Sequence, residues 1–190
     1  IVKTFEYGIT TDDEEYLVME FVDGVSLSYL VESQNSQMKK NCLWYCIQLG
    51  EALDAVHRAG YIHRDLCPRN VIVSNEYVVK LIDFGLVVPN TDPYKKPGNR
   101  TGTANYMAPE LIKRQPTDER IDIFSYAVTC FEMFTKQLPW DSGDTLESVL
   151  QHINSPQRDI KKYAPKLDDQ ICQAIMEGLL GADLLGFHTP

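Results

Sequence analysis

His63-Arg64-Asp65-Leu66-Cys67-Pro68-Arg69-Asn70 is the stretch on which the reading of the fold turns. Upstream of it, Leu43, Cys46, Ile47, Leu49, Leu53 and Val56 recur at the spacing of a helix face. They predict a helix from about Asn41 to His57, ended by Gly60. Downstream, Val71-Ile72-Val73 and the run Val78, Val79, Leu81, Ile82 are short apolar segments split by the turn Ser74-Asn75-Glu76, and Asp83-Phe84-Gly85 follows at once. Loops at the ends of short strands therefore bring Asp65, Asn70 and Asp83 to one place. A carboxylate beside an acceptor hydroxyl can orient it and take its proton. An amide and a second carboxylate suit Mg²⁺, which needs few protein oxygens when phosphates supply others. Either aspartate alone could simply cap a turn. Both motifs together, with Asn70 following Asp65 by five residues, point to phosphoryl transfer.

Working outward, Val2, Phe5, Tyr7 and Ile9 predict one strand, and Tyr16 to Met19 with Phe21 a second. Thr10 to Glu15 between them is a hairpin tip whose acids read as a solvated turn. Asp23-Gly24 reads as a connector, and Leu27, Leu30 and Val31 as a short helix. Residues 83–105 keep no period and hold Pro89, Pro93, Pro97 and Gly98, the mark of a functional loop. Ile121 to Thr135 is apolar nearly all round, interrupted by Asp122 and Glu132, which predicts a helix buried mid-domain. Leu146–Ile153 and Leu167–Leu180 predict two more helices. Two strands followed by many helices make an α+β chain, although a lone hairpin is a poor unit of structure.

Composition narrows the class. The 18 Lys+Arg against 27 Asp+Glu give a charge of −9, with no dense basic cluster, which argues against nucleic acid or an anionic membrane as partner. No apolar run is long enough for a membrane-spanning segment. Five scattered cysteines, odd in number, predict reduced thiols and a cytoplasmic setting. Cys42 and Cys46 share a helix face, but nothing nearby completes a metal set, so they read as core.

The motifs resemble the protein kinase family over nearly the whole chain. Tyr61 to Leu66 with Asn70 looks like the catalytic loop, Lys80 to Leu86 like the metal-binding motif, and Tyr106-Met107-Ala108-Pro109-Glu110 like the end of the activation segment. Gly102-Thr103-Ala104-Asn105-Tyr106 is similar to the serine/threonine type, and the Ala-Pro-Glu segment favours a protein substrate over a small molecule. The resemblance implies a kinase-like α+β fold using ATP and Mg²⁺. Asp65 would be the catalytic carboxylate, Asn70 and Asp83 the metal ligands, and Arg64 and Thr103 its helpers. Met19, Glu20, Phe21 and Val22 would form the adenine-binding hinge, with Met19 guarding the back pocket and Ile72 as the apolar floor. His63, Phe84, Gly85 and Glu110 would be structural, and Asp122 would tie the catalytic loop in place; the local alternative for Asp122 is a helix N-cap. Arg64 before Asp65 further implies an activation segment ordered by phosphorylation, with Thr91, Tyr94, Thr101 and Thr103 available. Lys95, Lys96 and Arg100 read as a solvated face.

Three departures qualify the implied activity. The family's glycine-rich loop, strand lysine and helix glutamate are expected upstream of Ile1, so that 1–22 would be the last strands and hinge of a smaller lobe. On that reading 23–190 is a helical lobe without its last helix, and the isolated chain is expected to be inactive. Cys67 stands where such kinases carry a lysine, and a neutral thiol cannot offset phosphoryl charge; Arg69 is the nearest cation by sequence. No arginine follows Arg158, so Glu110 is expected to lack its family partner. The implied function is an ATP-dependent protein serine/threonine kinase. The alternative is a pseudokinase, or a nucleotide-binding or scaffolding module without transfer.

Overall fold

A computed structural model describes residues 1–33, 36–96, 101–143, 149–150 and 154–180. Strand β1 (Thr4–Ile9) pairs antiparallel with β2 (Glu15–Met19), Tyr7 opposite Leu17 and Gly8 opposite Tyr16. The β-branched and aromatic side chains suit the strands, yet Phe5, Tyr7, Ile9, Leu17, Val18 and Met19 all remain exposed. Val2 instead leaves the strand and is buried, its N–H donating to Leu81 O at 2.9 Å.

Asp23-Gly24 is more than a connector. Strand β3 (Gly24–Ser26) pairs antiparallel with β5 (Val71–Ser74), which pairs in turn with β6 (Val79–Leu81). A Cβ at position 24 would lie 2.2 Å from Val73 O, so glycine is what lets the two backbones meet. Ser26 then caps α1 (Leu27–Glu32), its Oγ accepting from Tyr29 N at 3.2 Å. Helix α2 spans Ser36–Arg58 and starts before the expected Asn41, because Met38 continues the buried stripe while Lys39 and Lys40 face solvent.

Residues 83–105 hold local structure that their composition hid. Strand β4 (Tyr61–Ile62) pairs with β7 (Val88–Pro89), and Asp92–Lys95 form the short helix α3. After α4 (Pro109–Ile112), helix α5 (Arg120–Thr135) runs through the core and buries Phe124, Val128 and Phe131. It packs against α2 on one side and on the other against α6 (Ile160–Tyr163) and α7 (Asp169–Leu180). Trp140 stacks on Phe124 with ring centroids 6.0 Å apart. The five cysteines are free thiols and all buried, as core packing requires. The helix expected over Leu146–Ile153 falls mainly on 144–148 and 151–153, outside the described residues, as does the question of a last helix in 181–190.

Asp122, in the first turn of α5, is completely buried. Its side chain does not cap the helix. Oδ2 accepts from His63 N at 2.7 Å and from His57 Nε2 at 2.8 Å, and Oδ1 accepts from Arg64 N at 2.8 Å. Asp122→Ala leaves two buried amides and an imidazole without their acceptor. We expect a loss of about 3 kcal/mol in unfolding free energy, the scale for two stranded buried donors, read from the urea midpoint. An unchanged midpoint would mean that water satisfies these groups.

Candidate active site

The stretch from β4 to β5 places the candidate residues. Pro68–Asn70 form one 3-10 turn, closed by Asn70 N donating to Cys67 O at 3.0 Å. Asn70 Nδ2 donates back to Asp65 O at 2.9 Å and to Asp65 Oδ2 at 3.0 Å. The other carboxylate oxygen, Asp65 Oδ1, accepts from both Thr103 N and Thr103 Oγ1, each at 2.7 Å. Both oxygens of Asp65 are thus fixed by donors. Ile82 N donates to Asn70 O at 2.9 Å, which brings Asp83 beside Asn70 across the β5–β6 hairpin.

Backbone strain collects here. Arg64 has φ +71° and Asp83 φ +61°, left-handed values that side chains other than glycine rarely adopt. Gly102 has φ +112°, and a Cβ on it would meet Arg64 O at 2.7 Å, so glycine is required where the loop carrying Thr103 crosses the Asp65 loop. His63 is buried edge-on to Phe84, with centroids 5.2 Å apart, and burial lowers its pKa and favours the neutral ring. Asp83 Oδ1 accepts from Gly85 N at 3.2 Å.

The donor set suits Mg²⁺. Asn70 spends its NH₂ on Asp65, so its amide oxygen stays available, and Asp83 adds a carboxylate at the exposed mouth of the same site. Among the described residues no cluster of three or more His, Cys, Asp or Glu could hold a metal by itself. Two hard oxygen ligands completed by phosphate and water are what a Mg–nucleotide site asks for.

The other expected residues lie where their elements take them. Met19 ends β2, Phe21 is 91% exposed, and Ile72 is half-buried in β5. Glu20 is held in place by Lys80 Nζ at 2.8 Å and Lys3 N at 2.8 Å, and the lysine contact pulls its pKa below the usual value. Arg64 donates from its guanidinium to Thr101 Oγ1 at 2.7 Å. Glu110 sits in the first turn of α4.

Three residues escaped the sequence reading. His57 and Ser125 carry no local signal, because their roles depend on α2 and α5 meeting distant loops. Ser125 Oγ donates to Tyr106 O at 2.7 Å. Glu132 did leave a trace, one of two acids in an apolar helix, and Tyr106 Oη donates to its Oε2 at 2.5 Å. Together they pin the segment before Ala108-Pro109-Glu110 onto α5.

Residues 1–184 match the protein kinase domain, and the chain belongs to that family. It is 31% identical over 180 residues to a probable serine/threonine-protein kinase of Clostridium perfringens, covering 92% of this chain and 26% of that protein. It is 30% identical over 169 residues to a second such protein, of Clostridium acetobutylicum, covering 87% of this chain and 26% of the relative. It is also 34% identical over 148 residues to human ribosomal protein S6 kinase alpha-1, covering 78% of this chain and 20% of that protein. The chain therefore spans about a quarter or less of the length of these curated relatives. The mixed helix and sheet architecture is that of the family's α+β fold. Among the described residues no helix is long and apolar enough to cross a membrane.

Burial raises the pKa of Glu132, with the hydrogen bond from Tyr106 opposing the shift only in part. A carboxyl whose folded value lies above its unfolded value contributes stability that is complete below the unfolded value, about 4.3, and is lost as pH rises through the folded one. Glu132→Gln keeps an acceptor for Tyr106 and cannot ionise. Its melting temperature relative to wild type should therefore rise between about pH 4 and pH 8. A difference that stayed flat or fell across that range would contradict the burial argument.

Proposed function

We propose that this chain carries the transfer site of an ATP- and Mg²⁺-dependent serine/threonine protein kinase, moving the γ-phosphoryl group of ATP to a protein hydroxyl. The observation that carries the reading is the Asp65 carboxylate clamped between Thr103 and Asn70, with Asp83 set beside Asn70. In this reading Asp65 orients the acceptor hydroxyl and receives its proton. Asn70 and Asp83 would hold Mg²⁺, which when bound draws negative charge from the phosphates. Met19 to Val22 offer backbone groups to adenine above Ile72, and 1–22 form a hinge-bearing unit against the helical remainder, 23–190. Arg64, His63, Phe84, Gly85, Thr103, Glu110 and Asp122 fix these groups in position. The substrate is a protein bearing serine or threonine. Five reduced cysteines favour a cytoplasmic setting.

A second reading, nucleotide binding without transfer, draws on one observation: Cys67, neutral and 1% exposed, lies beside Thr103. Phosphate incorporation decides between them. In the full-length gene product, Asp65→Asn should lower turnover by roughly 10²–10⁴-fold, the usual scale for a general base, with nucleotide binding nearly intact. Asp83→Asn should instead weaken Mg²⁺-dependent nucleotide binding, because a neutral amide is the poorer ligand. Full activity in Asp65→Asn would remove Asp65 from the chemistry. Unaltered Mg²⁺-dependent binding in Asp83→Asn would remove Asp83 from the metal site.

A further inference from the structure

Away from the β1–β2 hairpin, the large apolar side chains left in solvent are mostly scattered singly, but three gather on one face of α2. Leu43 is 46% exposed, Trp44 51% and Ile47 44%. Tyr45, Leu49 and Leu53 carry the other face of the helix into the core. Gln48 brings further apolar surface alongside. Its Nε2 donates to Tyr77 O at 2.9 Å and its Oε1 accepts from Val79 N at 3.1 Å, which holds the exposed Tyr77 and Val78 beside the helix. A contiguous apolar patch with a half-exposed tryptophan at its centre suits a surface that another protein covers.

The flanking charges say which protein. Lys40, Trp44, Ile47 and Glu51 are all exposed and follow one another at intervals of four, three and four residues, the spacing of a seam between two helices. The seam is closed by a lysine at one end and a glutamate at the other. Neither side chain has an ion-pair partner among the described residues. Laid antiparallel on a copy of itself, about a two-fold axis midway between Tyr45 and Cys46, the stripe sets Trp44 over the partner's Ile47 and Lys40 beside the partner's Glu51. Parallel pairing would instead oppose lysine to lysine and glutamate to glutamate. A two-fold contact needs a surface that is its own complement, and this stripe is one. We propose that this face of α2 is a homodimer interface, with Trp44 and Ile47 as its buried centre and the Lys40–Glu51 pair formed twice at its rim. The apolar centre supplies the affinity and the rim charges fix the register. No residue of the Asp65 cluster takes part, so the proposal stands apart from the kinase reading.

The test is sedimentation equilibrium of the full-length gene product from about 1 µM to about 200 µM, the range suited to an interface of modest area. Wild type should pass from monomer to dimer across it. Trp44→Ala should weaken dimerisation about 10²-fold, because the two-fold axis removes the anchor twice. Lys40→Glu and Glu51→Lys should each weaken it about tenfold, since both rim pairs become repulsive. Mixed together, these two single variants should recover wild-type affinity as a heterodimer, because each repels itself and complements the other. The double variant Lys40→Glu/Glu51→Lys should recover it alone. That recovery also separates a lost contact from a folding defect, which mixing cannot repair. A carbodiimide should join Lys40 to Glu51 only between chains. Within one chain the two residues lie 11 positions apart on the helix, about 16 Å, too far for a direct amide bond. A monomer throughout the range would overturn the proposal. So would a dimer that Trp44→Ala and both single charge reversals leave unchanged. A Lys40 cross-link to a carboxylate outside α2 would overturn it as well and give the stripe to another segment of the polypeptide.

Discussion

The buried carboxylate of Asp122 is the constraint on which the rest of the site depends. A charge without solvent is costly unless donors surround it, and here two loop amides and His57 do so. Those two amides belong to His63 and Arg64, so the carboxylate fixes the loop at the residues immediately before Asp65. The left-handed Arg64, φ +71°, is a conformation the loop would not keep without such over-determination. Once set, the loop sets its neighbours. Arg64 reaches Thr101, Asp65 receives Thr103, and the segment that carries both threonines returns to α5 through Ser125 and Glu132. The circuit begins and ends on one buried helix.

That helix was legible in the sequence because its signal is local. Ile121 to Thr135 is apolar on every side, and no other place in a domain of this size suits such a segment. The hairpin Val71 to Leu81 was equally plain. Strand β3 was not, since Gly24-Val25-Ser26 is too short to show alternation and its pairing partner lies about fifty residues downstream. The same holds for β7 and α3, where prolines suggested irregular chain and the ordering comes from pairing with β4 and from Thr117 N donating to Lys95 O. Among the candidate residues, Asp65, Asn70 and Asp83 could be picked out from motif spacing, and the hinge and Asp122 only through family resemblance. The hydrogen bond from Arg69 to Thr103 joins residues 34 positions apart and has no sequence signature at all. Local chemistry is written in a sequence; the meeting of two loops is decided by what they both pack against.

The two ends of the site differ in how firmly they are held. Asp65, Asn70 and Thr103 share bonds with one another and rest on buried Leu66 and Val71, whereas β1 and β2 leave their apolar side chains exposed. Local stability follows buried apolar contact, so among the described residues the Asp65 cluster is better protected than the β1–β2 hairpin. Between them stands Glu20, bonded to the Lys3 backbone N–H just before β1 and to Lys80 on β6. Its lowered pKa fixes the sign of that tether's response. The contribution is complete above the ordinary carboxylate value and is lost as pH falls through the lowered one, so this tether weakens in acid. The residues read as the adenine hinge, Met19 to Val22, run from the last residue of β2 through Glu20. Their position relative to Asp65 therefore rests on a half-exposed ion pair and a backbone bond from Val2 to Leu81, while the distances among Asp65, Asn70 and Thr103 rest on the core. An arrangement built this way can adjust at the hairpin end without disturbing Asp65 at the other.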